Sequence, residues 1–166
     1  MKTKQHRELD PVVRRFIEDA GSMTQSFGVG RVLGQIYAYL YFSPEPRNLG
    51  NMQEALGISK GSASTGVRQL EQWGAVRKIW IKGDRKDYYE ANDWLGRIVR
   101  NVMQDTVGSK LASYASLLDE MQEELQRNTD GDSETEFVRE QIEKLRRFQQ
   151  KAHKAWHSPL VRMFLK

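Results

Sequence analysis

Cysteine is absent from this chain, histidine occurs only three times and proline only four. Without thiols there are no disulfides and no thiolate metal sites, and the composition suits a reducing compartment. Long apolar runs are missing too. The longest, Ile36 to Phe42, is far too short to span a bilayer. The opening residues, Met1-Lys-Thr-Lys-Gln-His-Arg, carry charge with no apolar stretch behind them, so no secretory signal is expected. The expectation is a cytoplasmic protein without a membrane partner. Catalytic patterns are also lacking: there is no nucleophile elbow and no histidine placed near a serine in a readable motif. Asp105, Asp119 and Glu120 are expected on helices, facing solvent or basic neighbours. Neither an enzyme nor a cofactor is expected.

The net charge of +4 is mild, but it is unevenly placed. From 59 to 90 there are seven Lys/Arg against four acids, a balance of +3; from 119 to 150 there are five against ten, a balance of −5. The first stretch attracts a polyanion and the second repels one.

The basic stretch is also the most informative. Residues 55 to 64 read Ala-Leu-Gly-Ile-Ser-Lys-Gly-Ser-Ala-Ser. Gly57 can take positive φ beyond the C-cap of one helix, Ile58 plugs a turn, and Ser59 can N-cap a second helix. In that second helix Ala63, Gly66, Val67, Leu70 and Trp73 share one face. The other face carries Lys60, Ser62, Ser64, Thr65, Arg68 and Gln69, with no acid before Glu71. An ordinary solvated face is the plain alternative, but a cationic, hydroxyl-rich face without acids suits a groove lined with phosphates and base edges. Ser59, Lys60 and Ser62 lie at the helix N-terminus, where the dipole favours phosphate, and Arg68 is the natural reader of a base or phosphate.

After Gly74 the period changes to two. Val76, Lys78 and Trp80 alternate with Arg77, Ile79 and Ile81, Lys82-Gly-Asp-Arg makes a tight turn on Gly83, and Tyr88, Tyr89 and Glu90 return. This two-stranded wing places Lys82, Arg85 and Lys86 at its tip. Double-stranded DNA is thus the expected partner of residues 59 to 86.

Around this core the chain reads as helices. Asp10-Pro11 caps a first one, with Val12, Val13, Phe16, Ile17 and Ala20 in a stripe. Gly28, Gly30 and Gly34 precede or enter a second; their spacing is wrong for a dinucleotide fingerprint and implies close packing and a bend. Val32, Leu33, Ile36, Tyr37 and Leu40 form its stripe, and Pro44 and Pro46 end it. Asn48 caps a third helix, with Met52, Ala55 and Leu56 inward. From Asn92 to Arg127 a proline-free stripe runs from Leu95 through Leu111 to Leu125, on the order of 50 Å of helix, which needs a partner helix. A turn at 128 to 133 leads to another helix with Phe137, Val138, Ile142, Leu145, Phe148 and Ala152 inward, and Leu160 to Leu165 form a last short one. His153 and His157 have metal-ligand spacing, but Lys151, Lys154 and Arg162 would repel a cation, so no metal is expected. Tyr37, Tyr39, Tyr41 and Phe42, with Tyr114, Phe137, Phe148 and Trp156, are either core or the lining of a cation–π cage for a quaternary ammonium ligand; core is the commoner use.

The order helix, helix, helix-turn-helix, wing, long helix, helical tail resembles the MarR-type winged-helix regulators. Residues 28 to 91 are most similar to the GbsR-like branch, through Gly30-Arg31, Ile36-Tyr37, the string 55 to 64, Leu70-Glu-Gln-Trp-Gly-Ala-Val and Trp80-Ile-Lys-Gly-Asp-Arg-Lys-Asp-Tyr-Tyr-Glu-Ala. The resemblance implies a homodimeric DNA-binding regulator of transcription whose C-terminal helices dimerise. It also implies that Arg85 at the wing tip enters the minor groove and that Asp84 steadies it. Relatives respond to choline and similar osmolyte precursors, which makes such an effector an expectation with no binding residues assigned. One departure is local: Leu49-Gly50-Asn51 lacks the acidic first turn of relatives, and fraying is expected there. The expected fold is therefore mainly α, with a winged helix-turn-helix over 1–91, a two-stranded β wing, and a long-helix dimerisation region over 92–166. The function expected is sequence-specific repression of transcription. The alternative is a winged-helix module that binds proteins and does not read DNA.

Overall fold

The computed structural model describes residues 9–127, 133–156 and 158. Residues 128–132 of the expected turn, the short helix 160–165 and His157 lie outside the described residues. The elements in chain order are α1 (Pro11–Ser26), α2 (Arg31–Tyr41), β1 (Arg47–Asn48), α3 (Leu49–Leu56), α4 (Lys60–Gln72), β2 (Val76–Ile79), β3 (Tyr88–Ala91), α5 (Leu95–Met103), a π turn (Gln104–Gly108), α6 (Ser109–Arg127) and α7 (Ser133–Trp156). The chain divides into two compact units between Ile98 and Val99.

In the first unit the helices begin where local chemistry allows. The Asp10 carboxylate accepts from the Val12 N–H at 2.8 Å, with Pro11 at the first helical position. α2 ends at Tyr41, ahead of Pro44. The start of α3 is not frayed. Asn48 and Asn51 exchange side-chain-to-backbone hydrogen bonds at 3.1 Å each way, and this reciprocal cap offsets the helical cost of Gly50.

The core is built on α2 and α4. Ile36, Ala38, Tyr39, Leu40, Met52, Ala63, Val67, Leu70, Trp73, Ala75, Val76 and Tyr89 are buried together with Ile17 of α1. A Cβ on Gly66 would stand 2.7 Å from Ile36 Cδ1, so the missing side chain lets α4 approach α2. Gly34 does the same for α1, lying against Thr24 and the Ala20 carbonyl. Thr24 Oγ1 lies 3.0 Å from the Ala20 and Gly30 carbonyls, tying the end of α1 to the turn before α2. The stripe expected on α1 is only partly inward. Ile17 is buried, but Val12 and Phe16 are exposed, and Phe16 meets Phe42 edge-on at 5.1 Å. Ala55 is exposed as well: α3 has barely two turns and buries only Met52.

The two wing strands, β2 and β3, are joined in the sheet by a third, β1. β1 pairs antiparallel with β3 (Arg47 opposite Tyr89), and β3 pairs antiparallel with β2 (Val76 opposite Ala91, Ile79 opposite Tyr88). β1 is two residues long and has no period of its own, which is why the sequence hides it.

In the second unit Arg146 reaches Asp119 at 2.6 Å, and the Cβ position of Gly108 lies 3.7 Å from Trp156 Nε1. Residues late in α7 thus face residues early in the preceding helix, so the pair is an antiparallel hairpin. Its seam buries Leu118 and Ile142. Helical structure begins at Leu95 and not at Asn92, because Asn92 is held in the turn: its N–H donates to the Ala75 carbonyl and its Nδ2 to the Gly74 carbonyl, both at 2.8 Å. The π turn coincides with Thr106 donating to the Val102 carbonyl at 2.7 Å, a side chain competing for the helical ladder. Phe137, Leu145 and Phe148 were expected inward and are exposed, as are Tyr114 and Leu117. A two-helix hairpin has a single seam, and both stripes are wider than it. Among the described residues no helix is long and apolar enough to cross a membrane.

Candidate nucleic-acid interface

The turn between α3 and α4 rests on Gly57, which takes the left-handed conformation (φ 64°) and donates its N–H to the Gln53 carbonyl at 3.0 Å. Ser59 then caps α4. Its Oγ accepts from the Ser62 N–H at 3.0 Å and lies 2.9 Å from the Ser62 hydroxyl. Ser59 and Ser62 are therefore joined to each other at the helix N-terminus.

Burial divides α4 as its sequence implies. Ala63, Gly66, Val67 and Leu70 face the core; Lys60, Ser62, Thr65 and Arg68 are exposed. Ser64 and Gln69 are half-buried, on the flanks of that face.

The wing extends past β2 and β3. Gly83 has φ 85°, and Lys82, Arg85 and Lys86 are exposed. Asp84 organises the tip. Its Oδ1 accepts from the Lys86 N–H at 2.9 Å and its Oδ2 from the Tyr88 hydroxyl at 2.7 Å. These bonds, with the Lys86 N–H first, hold the Asp84 carboxyl below its usual pKa. Asp84 thus holds the turn through the hairpin backbone and Tyr88. The wing's other acids are paired as well: Arg77 Nε donates to Glu90 at 2.5 Å, and Lys78 lies 2.8 Å from Asp87, whose bond keeps the lysine charged to higher pH. Arg77 and Lys78 are balanced by these partners, and the exposed cations left by the pairing are Lys60, Arg68, Lys82, Arg85 and Lys86.

The strict alternation expected along 76 to 81 does not hold. β2 stops at Ile79, Lys78 is exposed despite sharing a register position with buried Tyr89, and Trp80 is 79% exposed. Sequence reasoning gave Trp80 no role beyond strand periodicity, and its position next to a turn of cations was the available signal. Tyr88 was read only as part of the returning strand, although its spacing from Asp84 across the turn hinted at the bond. The expected aromatic cage is divided. Tyr39 is core, whereas Tyr37, Tyr41, Phe42 and Phe16 form a chain of ring contacts at 5.1 to 5.9 Å. Tyr37 donates its hydroxyl to the Asn92 carbonyl at 2.8 Å, and burial, then Tyr41 and Asp93, push its pKa up to about 12. Tyr114, Phe137, Phe148 and Trp156 belong to the second unit. No cluster of three metal-ligating side chains occurs among the described residues.

A capped helix-turn-helix followed by a hairpin with a cationic tip, on one three-stranded sheet, defines a winged helix-turn-helix. No protein-family model matches the chain. It is 33% identical over 75 residues to the putative HTH-type transcriptional regulator YvaV of Bacillus subtilis, covering 45% of this chain and 42% of that protein. It is 27% identical over 111 residues to the HTH-type transcriptional repressor GbsR of the same organism, covering 67% of this chain and 61% of that one. The matches therefore span less than two thirds of either relative. A solved structure of a transcriptional regulator has the same fold, with a TM-score of 0.51 and 23% identity over 87% of this chain and 95% of that one. The chain has the winged helix-turn-helix fold, and its sequence is similar to HTH-type regulators that include GbsR. The relatives are named as regulators of transcription and not as enzymes.

Proposed function

We propose that this protein is a cytoplasmic, homodimeric repressor of transcription that binds double-stranded DNA through α4 and the wing. The observation that carries the reading is the charge pattern of the first unit. Lys60, Ser62, Thr65 and Arg68 form an exposed face without a carboxylate, and the acid nearest the wing tip, Asp84, is occupied by the hairpin itself. Lys82, Arg85 and Lys86 are left facing solvent. A helix of this kind reads base edges in the major groove while a cationic wing holds phosphates or the minor groove. Two relatives being named repressors supports the sign of regulation.

Homodimerisation is supported by the second unit, whose hairpin leaves Tyr114, Leu117, Leu145 and Phe148 uncovered. A two-fold dimer implies an inverted-repeat operator with half-sites about one helical turn apart. The ring chain from Tyr37 to Phe16 supports a small quaternary ammonium effector of the choline type, held by cation–π contact.

The test is selection of duplexes from a random library, followed by fluorescence anisotropy across a salt series. An inverted repeat whose affinity falls steeply with salt is expected. Failure to retain any duplex would move the reading to a module that binds proteins.

A further inference from the structure

Among the described residues of the first unit Trp80 is the most exposed large apolar side chain, at 79%. The other tryptophans described there are accommodated. Trp73 is in the core, and Trp94 has the Arg97 guanidinium stacked 4.4 Å from its ring centre. Among the described residues no ring or cation stacks on Trp80. Leaving an indole in water forgoes one of the largest apolar burials a side chain offers.

Its surroundings select the chemistry of what covers it. Trp80 stands between the end of β2 and the cationic turn, and Lys82, Arg85 and Lys86 follow within six residues. The wing's carboxylates are all engaged: Asp84 with Lys86 N–H and Tyr88, Asp87 with Lys78, Glu90 with Arg77. What the hairpin presents is an aromatic plane among exposed cations. An apolar protein patch would have to desolvate those cations without pairing them. A nucleic-acid backbone pairs them and offers sugar faces to the ring.

We propose that Trp80 is a DNA contact, its indole packing on the sugar edge of the groove that the wing enters while Nε1–H donates to a phosphate oxygen. This rests on the DNA-binding reading above and adds a residue outside α4 and outside the basic tip. Such a contact is sequence-tolerant and carries no charge, so it differs from the arginines in a measurable way.

The probe is the duplex selected by the wild-type protein, tested with Trp80→Ala, Trp80→Phe and Arg85→Ala. Trp80→Ala is expected to weaken binding about tenfold, with Trp80→Phe in between. The slope of log affinity against log salt should stay at the wild-type value, whereas Arg85→Ala should lower it. The difference in acrylamide quenching between wild type and Trp80→Phe isolates the Trp80 signal. That signal should be accessible in the free protein and shielded when duplex is bound.

If the wild type binds the duplex but Trp80→Ala binds equally well, or Trp80 stays accessible in the complex, the contact is refuted and the DNA reading stands. A Trp80→Ala variant that also loses salt slope would show that the ring only supports the wing. A Trp80 signal already shielded in free protein, or a lower sedimenting mass for Trp80→Ala, would place the ring against a second copy of the chain. If the wild type binds no duplex, both readings fall.

Discussion

The Tyr88 hydroxyl donates to Asp84 Oδ2 at 2.7 Å across the mouth of the wing, while the Lys86 N–H takes the other oxygen at 2.9 Å. One carboxylate thereby closes the turn from both sides. Tyr88→Phe should leave the helix-turn-helix intact and reduce affinity for duplex DNA a few-fold, with no change in preferred sequence. The Asp84 carboxyl should titrate nearer its ordinary value in that variant, which carbon-detected NMR can follow. Because folding lowers this pKa, its contribution to order at the tip is present above the unfolded carboxyl value. It is lost as pH falls through the folded value. A tip that is equally ordered on both sides of that range would show that the bonds are incidental.

Arg68 and Arg85 should separate into reader and clamp. Arg68→Ala should blur one base position per half-site, since a good bidentate contact is worth roughly 1–3 kcal/mol of discrimination. Arg85→Ala should weaken binding on all sequences and reduce its salt dependence. Repeating the duplex selection with each variant distinguishes them. A uniform loss for Arg68→Ala would make it a phosphate contact.

Two glycines should differ in tolerance. Gly66→Ala meets the tip of Ile36, a side chain that can yield, and should cost on the order of 1–3 kcal/mol. At Gly34 the new methyl would lie 2.5 Å from the Ala20 carbonyl oxygen, which belongs to the backbone of α1. Gly34→Ala should therefore be the more damaging in urea unfolding, and the reverse order would mean that α1 moves freely on α2.

The second unit should associate. Burial stabilises by about 25 cal/mol per Å² of apolar surface, and the hairpin leaves Leu145 and Phe148 exposed, the latter at 71%. Sedimentation at low micromolar concentration should show a dimer, and Phe148→Glu should shift it toward monomer. A wild-type monomer that binds one half-site tightly would contradict the proposed assembly.

Local features were legible in the sequence because their causes are local. Asp10, Asn48 and Ser59 cap helices with their own side chains, and Gly57 and Gly83 take the backbone conformations their turns require. What depends on a distant neighbour was not legible. Lys78 and Trp80 fit an alternating strand, but β2 ends at Ile79, where hydrogen bonding to Tyr88 stops. The stripes of the second unit were correctly apolar. Periodicity cannot say whether such a stripe meets its own chain or another, and only Ile142 of α7 is buried within this one. The bonds of Asp84 to the Lys86 N–H and the Tyr88 hydroxyl depend on how the hairpin closes, which the order of residues does not state.

The shortest strand has the widest reach. Asn48 lies opposite Tyr88 in the sheet and also closes the first turn of α3 through Asn51. Tyr88 in turn holds Asp84 at the wing tip. Backbone pairing and side-chain hydrogen bonds thus connect the wing tip to the first turn of α3. Truncating Asn48 is therefore expected to loosen the start of α3 and the sheet edge beside Tyr88 together.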